Sequence, residues 1–356
     1  MKIIVATGGT GGHIFPALQT ADVLRKRGHE VVFMGVLGLG EEKVKAQGYE
    51  TILIHAKGWS NRSIIGLLGF SFLMVQAVVQ AILILNRAKA DKVIGFGGYG
   101  SFAVVLAARV LNIPTMIHEQ NVFPGKANRF LSGLVKKIAI SFEGAKEYLN
   151  SQKVILTGCP CHQGKPTASR EDLFKKYSLD LNRKTILVLG GSQGSQKLNE
   201  IIFEMISSFG NQSSLQVIHM TGAKEYSLYA QRYQERGLPV KVYKFISPIE
   251  EVYAVADIVI SRAGAATVSE LGFFALPCVL VPYPLADGHQ KYNAQVLEKE
   301  GLAKIIEQKD LTSLVLKDSI ETLLQANFDR EAWRERTKDL FHQQPAENLA
   351  TALESL

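Results

Sequence analysis

The chain has 356 residues, which is more than one hydrophobic core usually fills, so two domains are expected. Its composition, 47% hydrophobic and 21% charged, is that of a folded globular protein, and its three cysteines are too few for a disulfide framework. A formal net charge of +7 favours an anionic partner, whereas the lack of a basic, aromatic-rich motif or of zinc-finger spacing argues against nucleic acid.

Short β-branched runs alternate with helical segments along the whole chain, which predicts βα units around parallel sheets. The chain enters a strand directly, so we expect no signal peptide. Strands are predicted at residues 2–7, 30–34, 51–54, 92–96, 114–119, 137–141 and 154–157, and again at 185–189, 216–220, 240–245, 258–261 and 278–281. Residues 162–170, with one glycine and one proline, are predicted as a linker between two doubly wound, Rossmann-like domains.

Glycine-rich turns follow predicted strands in both halves, at residues 8–12, 95–100 and 190–194. Ligands of open α/β sheets bind outside the carboxyl ends of the strands, so the turns predict a ligand cleft between the two domains. A simpler interpretation is that each set of glycines only permits a tight turn.

The segment from Ser63 to Asn86 contains no charged residue over 24 positions, which is long enough in principle to span a bilayer. The chain must return to the same sheet at Lys92, which argues against a true crossing. Two interpretations stay open: a helix buried against the sheet, or a helix with one apolar face open to lipid.

Residues 261–293 combine a strand end, a glycine turn, a helix predicted to begin near Ala265, and a second polar loop. The unpaired N–H groups and the dipole of a helix start favour a phosphate group. Glu270 lies about one turn into that helix, within reach of ribose hydroxyls if phosphates lie at the turn. The segment therefore predicts a nucleotide site.

Other chemistries fit the sequence less well. Gly95 to Gly100 with Glu119 imitates a dinucleotide fingerprint, but it lies in the fourth βα unit and leaves the other turns unexplained. No P-loop is present in the sequence. The Cys159-Pro160-Cys161-His162 run is too closely spaced for a usual zinc site.

Group transfer from a diphosphate-linked donor explains more of these features. His13 follows Gly11 and Gly12 at a helix start, where the imidazole should be neutral and able to take a proton, so it is the candidate base. It could instead only hydrogen-bond a carbonyl or a substrate hydroxyl. The sequence has no D-x-D metal motif, so helix dipoles, loop amides and Arg262 would stabilise the leaving diphosphate.

Several stretches, taken together, resemble the MurG family of N-acetylglucosaminyltransferases. They are GGTGGHIFPAL at 8–18, GFGGYGSF at 95–102, HEQN at 118–121, GGSQGS at 190–195, SRAGAATVSELGFFALPCVLVPYP at 261–284 and DGHQKYNA at 287–294. The resemblance implies a GT-B fold of two domains facing a central cleft. It places an acceptor-binding, membrane-facing domain at 1–161, with the helix at about 336–356 packing back on it, and a UDP-sugar domain at 162–335.

The same resemblance implies an inverting enzyme without metal or cofactor, at the cytoplasmic face of the bacterial plasma membrane as a peripheral protein bound to an anionic membrane surface. Its donor would be UDP-N-acetylglucosamine, its acceptor the undecaprenyl-pyrophosphoryl muramoyl-pentapeptide lipid I, and its product lipid II for peptidoglycan. A related transferase with another lipid acceptor and a UDP-sugar 2-epimerase are the alternatives of similar architecture. A non-catalytic nucleotide-binding protein is a third.

Site residues follow from the resemblance position by position, with His13 as the base. The implied donor contacts are Thr10, Gly11, Gly12, Asn121, Ser192, Ile246, Ala265, Ala266, Thr267, Val268, Ser269, Glu270 and Gln290. The implied acceptor contacts are Gly11, Gly12, Gly97, Gly98, Tyr99 and Glu119. The chain departs from the family at His162, which stands where an arginine usually helps to bind the donor, so His162 and Arg262 are open as donor contacts.

Overall fold

The computed structural model describes residues 1–56, 64–164, 166–191, 194–209, 214–284, 288–326, 328–341 and 344–356, without the side chains of 39 and 64–68. The chain forms two compact units. The first comprises Met1–Cys161 and Gln344–Leu356, and the second comprises His162–Gln343. Each unit is built around its own parallel sheet.

Among its described residues, the first unit contains seven strands in one sheet. Its elements are β1 (Lys2–Gly8), α1 (Gly11–Lys26), β2 (Glu30–Val36), α2 (Glu41–Ala46), β3 (Glu50–Leu53), α3 (Ile64–Ala88), β4 (Lys92–Gly95), α4 (Tyr99–Val110), β5 (Thr115–Glu119), α5 (Lys126–Leu131), β6 (Lys137–Ile140) and β7 (Val154–Leu156), and near the chain end α14 (Pro345–Glu354). The strand order is β3-β2-β1-β4-β5-β6-β7, and every pairing is parallel.

Helices cover both faces of this sheet, which is why a strand such as β1 is apolar on both sides. Ile4 and Ala6 pack in the core shared with α3 and α4, whereas Ile3 and Val5 pack in the core shared with α1 and α14. Ion pairs from Arg27 to two glutamates of α14 join that helix to the end of α1. The C-terminal helix is thus an integral part of the first unit.

The described part of the second unit contains six parallel strands. Its elements are α6 (Arg170–Lys176), β8 (Lys184–Leu189), α7 (Gln196–Phe209), β9 (Leu215–Met220), α8 (Tyr226–Glu235), β10 (Val240–Tyr243), α9 (Ile249–Val255), β11 (Ile258–Ser261), α10 (Ala265–Phe274), β12 (Cys278–Leu280), α11 (His289–Lys299), β13 (Ala303–Ile305), α12 (Ser313–Gln325) and α13 (Arg330–Thr337). The strand order is β10-β9-β8-β11-β12-β13.

The two sheets share one topology. In each, the first three strands run outward from the centre and the fourth returns to the other side of the first, so the order reverses between β1 and β4 and again between β8 and β11. Such a switch point opens a crevice at the carboxyl ends of the two central strands. The predicted class of two doubly wound α/β domains is confirmed. In each domain, the switch point is the expected position of a ligand.

Candidate functional site

At the switch point of the first sheet, the turns after β1 and β4 are in direct contact. The Gly8 N–H donates to the Gly97 carbonyl oxygen at 2.9 Å. Gly98 has φ of +86°, and a Cβ there would lie 2.9 Å from the Gly8 Cα, closer than real Cβ atoms approach. Only glycine allows this conformation and this approach. These glycines let α1 and α4 begin at adjacent strand ends.

His13 lies in the first turn of α1, beside these glycines. Its Nδ1 is 3.0 Å from the Thr10 Oγ1, and its Nε2 lies 3.1 Å from the position that a Cβ of Gly97 would occupy. Burial lowers the pKa of His13 to about 4, so the ring is neutral near pH 7. With the proton on Nδ1 and donated to Thr10, Nε2 is left as an acceptor. The geometry therefore suits a proton acceptor.

The starts of α1 and α4 are favourable positions for an anion. Within the described residues, neither helix has a side-chain cap or an acidic residue in its first turn. Their N–H groups and dipoles are consequently open to a negatively charged ligand. A Cβ on Gly12 would meet no atom within 4 Å, so packing of the protein itself does not require glycine there. The space at Gly12, like the exposed Tyr99, is available to a ligand.

The loop after β5 is organised around the buried Glu119. Its carboxylate accepts hydrogen bonds from the Asn121 N–H at 2.9 Å, the Gly125 N–H at 3.1 Å and the Asn128 side chain at 2.8 Å. Burial raises the pKa of Glu119, and these bonds oppose the rise. The carboxylate thus shapes the loop that presents Asn121. The predicted acceptor contact of Glu119 stays a prediction.

At the switch point of the second sheet, α10 begins directly after β11. Gly264 is the N-cap, no described side chain caps the helix, and its first turn has no acidic residue. The first intrahelical N–H bond is that of Val268 to the Gly264 carbonyl oxygen, which leaves the N–H groups of Ala265, Ala266 and Thr267 for a ligand. The helix start is therefore suited to a diphosphate, as the sequence predicts.

Arg262 and Gln290 hold the loops around this helix start. The Arg262 guanidinium donates to the Val281 carbonyl at 3.1 Å, the Ser195 hydroxyl at 2.6 Å and the Gln308 side chain at 2.7 Å. The Gln290 side-chain oxygen accepts from the N–H groups of Ala263 at 3.1 Å and Tyr283 at 2.9 Å. Both side chains fix the turns after β11 and β12. The sequence gives no sign of this bracing role.

Glu270 is buried in the second turn of α10. One carboxylate oxygen accepts from the Tyr253 hydroxyl at 2.8 Å, and the other faces the His162 N–H at 3.4 Å. Burial raises the pKa of Glu270 to about 7, and the neighbouring Glu250 adds to the rise. Ionising Glu270 in this buried position therefore costs free energy. Tyr253 was not among the predicted site residues, because its partner lies on another helix.

The structure describes some of the remaining predicted donor contacts. Ile246 is buried just after β10, and Ser269 is buried beside Glu270 on α10. The backbone of His162, at the start of the second unit, reaches Glu270. Ser192 lies outside the described residues. In the described part of the chain, no three His, Cys, Asp or Glu side chains are grouped so that they could hold a metal ion.

Helix α3 has an open apolar face. Ala77, Ala81 and Leu85 are fully buried against the sheet. On another face the exposed side chains are 50–63% accessible, and they are Phe72, Val75, Val79 and Leu83. Gly69–Ala88 passes the length and composition test for a membrane span, which core helices of soluble proteins also pass. Because β3 and β4 on either side belong to one sheet, the helix here is a crossover with one apolar face uncovered.

Comparison with known proteins places these features in a family. Residues 3–140 match the glycosyltransferase family 28 N-terminal domain, and residues 185–349 match its C-terminal domain. A UDP-N-acetylglucosamine–N-acetylmuramyl-(pentapeptide) pyrophosphoryl-undecaprenol N-acetylglucosamine transferase of Halothermothrix orenii is 38% identical, with 91% of this chain and 90% of that protein covered. The protein of the same name from Methylococcus capsulatus is 37% identical over 98% of this chain and 97% of its own. The crystal structure of Acinetobacter baumannii MurG superposes with a TM-score of 0.76 at 27% identity, covering 100% and 99% of the two chains.

Proposed function

The chain belongs to glycosyltransferase family 28, and we propose that it transfers N-acetylglucosamine from UDP-N-acetylglucosamine to the muramoyl-pentapeptide of lipid I, giving lipid II for peptidoglycan. The relatives that carry this activity in their names cover nearly the whole chain. The observation that carries the proposal is the pairing, on α10, of an open helix start with the buried Glu270.

In the second unit we assign the donor. The open N–H groups of Ala265, Ala266 and Thr267 at the start of the helix, which Val268 completes, bind the diphosphate together with the loop that contains Ser192, and Glu270 accepts the ribose hydroxyls. The uracil lies at the backbone of Ile246, and the sugar at Gln290. Arg262 supports these loops through its bonds to Ser195 and Gln308, so its contribution to donor binding is indirect. The backbone N–H of His162 helps to hold the Glu270 carboxylate in position.

In the first unit we assign the acceptor and the base. The pyrophosphate of the acceptor binds the starts of α1 and α4, at Gly11, Gly12, Gly97, Gly98 and Tyr99. His13 takes the proton of the acceptor's sugar hydroxyl on Nε2, and that oxygen forms its bond to the anomeric carbon of the donor. Thr10 and Asn121 border the reacting sugar.

The bond from the anomeric carbon to the diphosphate breaks as the new bond forms, so the configuration inverts and UDP leaves with the bonding electron pair. The N–H groups of helix starts stabilise the charge on the departing diphosphate without a metal. The anionic substrates also favour the imidazolium form of His13, which raises its basicity once both are bound.

The lipid-linked acceptor accounts for the open apolar face of α3. That face and the exposed Phe130 of α5 present apolar side chains, and Arg87, Lys126 and Arg129 are exposed on the same elements. Apolar insertion together with basic residues is the usual combination for a peripheral protein on an anionic membrane. We assign this surface to the cytoplasmic face of the plasma membrane, where UDP-sugars are available.

Purified protein with UDP-N-acetylglucosamine and a short-chain lipid I analogue tests the reaction. UDP release that depends on the acceptor and persists in a metal chelator is expected. UDP release without any acceptor would indicate a hydrolase, and conversion of the donor to its 2-epimer without UDP release would indicate an epimerase. Strict dependence on added metal would contradict the mechanism. No release with lipid I, but turnover with another lipid-linked sugar, would move the chain to a different acceptor.

Vesicle binding tests the surface separately. Val79→Asp should weaken binding to phosphatidylglycerol vesicles because it places a charge on the exposed face of α3. Leu228→Asp in the second unit is the matched control, since Val79 and Leu228 are 50% and 52% exposed. Equal binding of the two variants would contradict the membrane assignment.

A further inference from the structure

Tyr253 and Glu270 form a buried polar pair between two helices of the second unit. Tyr253 lies on α9 with 1% of its surface exposed, and its hydroxyl donates to Glu270 Oε2 at 2.8 Å. Its ring packs against Phe274, with the ring centroids 5.1 Å apart. The ring is therefore fixed by packing, and the hydroxyl has a definite direction.

The Tyr253–Glu270 pair lies at the proposed donor site. Helix α9 begins three residues after Ile246, the residue assigned to the uracil, and α10 carries the carboxylate assigned to the ribose. The bond from Tyr253 thus links the base side of the nucleoside position to its ribose side. No other side-chain hydrogen bond to the Glu270 carboxylate is found among the described residues.

We propose that Tyr253 is a positioning residue that orients the Glu270 carboxylate toward the ribose hydroxyls of a uridine nucleotide. The inference rests on the proposed donor site. A carboxylate has about four acceptor positions, of which Tyr253 occupies one and the His162 N–H another. Those two contacts restrain the plane of the group and leave the remaining acceptor positions for two neighbouring hydroxyls. Without the Tyr253 hydroxyl the carboxylate is free to rotate away from them.

The surrounding charges make the same bond electrostatically useful. Burial and Glu250 raise the pKa of Glu270, whereas the bonds from Tyr253 and from the His162 N–H lower it. Glu250 lies on α9, the helix that also carries Tyr253. Removing the Tyr253 hydroxyl therefore reduces the ionised fraction of Glu270 at neutral pH. The ionised form is the one that accepts both ribose hydroxyls.

Calorimetric titration of the full-length chain with UDP and with 2′,3′-dideoxy-UDP tests the inference. For Tyr253→Phe we expect UDP binding to weaken by about tenfold. Binding of the dideoxy nucleotide should weaken by less than about twofold, because the hydroxyls that Glu270 would accept are absent. An equal loss for both nucleotides would show a general packing role, and no loss for either would also overturn the inference.

Tyr229→Phe is a closely matched control. Tyr229 is also 1% exposed, and its hydroxyl donates to Glu200 Oε2 at 2.9 Å, so the same chemical change breaks the same kind of bond elsewhere in the unit. UDP affinity of this variant should stay within about twofold of wild type. A comparable loss for Tyr229→Phe and Tyr253→Phe would reject a specific role for Tyr253.

Steady-state kinetics add a readout that a structural defect would not mimic. Tyr253→Phe should raise the KM for UDP-N-acetylglucosamine by about tenfold with kcat and the acceptor KM nearly unchanged. The pH below which donor affinity falls should move upward. If wild type binds no uridine nucleotide, the proposed function itself fails. If wild type binds UDP and Tyr253→Phe behaves like wild type, only the role of Tyr253 is rejected.

Discussion

Replacement of Glu270 by glutamine should stabilise the second unit at alkaline pH while it weakens donor binding. The pKa of Glu270 is about 7 in the folded chain against an ordinary value of 4.5. Each pKa unit corresponds to about 1.4 kcal/mol, so ionised Glu270 destabilises the fold by about 3 kcal/mol relative to its protonated form. Glutamine resembles the protonated form and cannot ionise.

The sign of the pH dependence follows from proton binding. Between pH 4.5 and about 7 the folded chain keeps a proton on Glu270 that the unfolded chain has lost, so this group's contribution to stability falls as pH rises through that window. Above about pH 7 the contribution is constant and unfavourable. The free energy of unfolding of Glu270→Gln, minus that of wild type, should therefore rise by up to about 3 kcal/mol from pH 4.5 to 8. At pH 4.5 the difference should be zero or negative, because one glutamine N–H₂ group cannot accept the bond that a carboxyl oxygen accepted.

Urea unfolding followed by tryptophan fluorescence measures this difference. Trp333 is buried in the second unit, and a Trp59→Phe background leaves it as the only tryptophan in the chain. Subtracting wild type from variant at each pH cancels the other titrating groups. A difference that stays constant across pH 4.5–8 would refute the argument, since it would place Glu270 in an environment where ionisation costs nothing. UDP affinity should fall below pH 7 in wild type and be lower but independent of pH in the variant.

Three further predictions concern other residues of the two sites. His13→Ala should lower kcat by about 100- to 10,000-fold with UDP affinity within about twofold of wild type, because the proton acceptor is lost while the donor site is intact; an unchanged kcat would contradict the role of His13 as the base. Gly98→Ala should destabilise the first unit by about 1–3 kcal/mol, because Gly98 has a positive φ and lies against Gly8. Gly12→Ala should keep the wild-type melting temperature and lose acceptor affinity, because the new Cβ would meet no protein atom within 4 Å. Arg262→Met should lower the free energy of unfolding by about 2 kcal/mol, because Ser195, Gln308 and the Val281 carbonyl lose their donor, and an unchanged urea midpoint would count against the bracing role.

The sequence predicts the features that depend on neighbouring residues. The β-branched runs of β1 and β8 are read directly because strands buried on both faces are continuously apolar. The glycine turns that follow them identify the switch points, since a strand, a glycine turn and a helix start are consecutive in the chain. β13 was missed because its three residues, Ala303 to Ile305, form a short edge strand without a β-branched run.

Contacts between distant segments could not be predicted in the same way. Tyr253 and Glu270 are 17 positions apart on different helices, and Arg262 reaches Gln308 across 46 positions. Neither pair has a spacing that a single helix or strand would bring together. Glu119 shows the reverse case: its sequence position points to a ligand, while the structure engages its carboxylate with the N–H groups of its own loop.

The two switch points differ in their ionisable group, the partly buried His13 in the first unit and the buried Glu270 in the second, and the difference suits the two roles proposed for them. Burial shifts both pKa values toward the neutral form, but it makes His13 a proton acceptor at neutral pH and leaves Glu270 only partly ionised there. A base must be unprotonated before the substrate arrives, and lowering the pKa of an imidazole secures that. A carboxylate that accepts hydroxyls must instead be charged when it binds, which burial alone opposes. In the proposed roles, Glu270 therefore needs hydrogen-bond donors such as Tyr253 and the His162 N–H, whereas Thr10 is the one side-chain partner of His13 within the described residues.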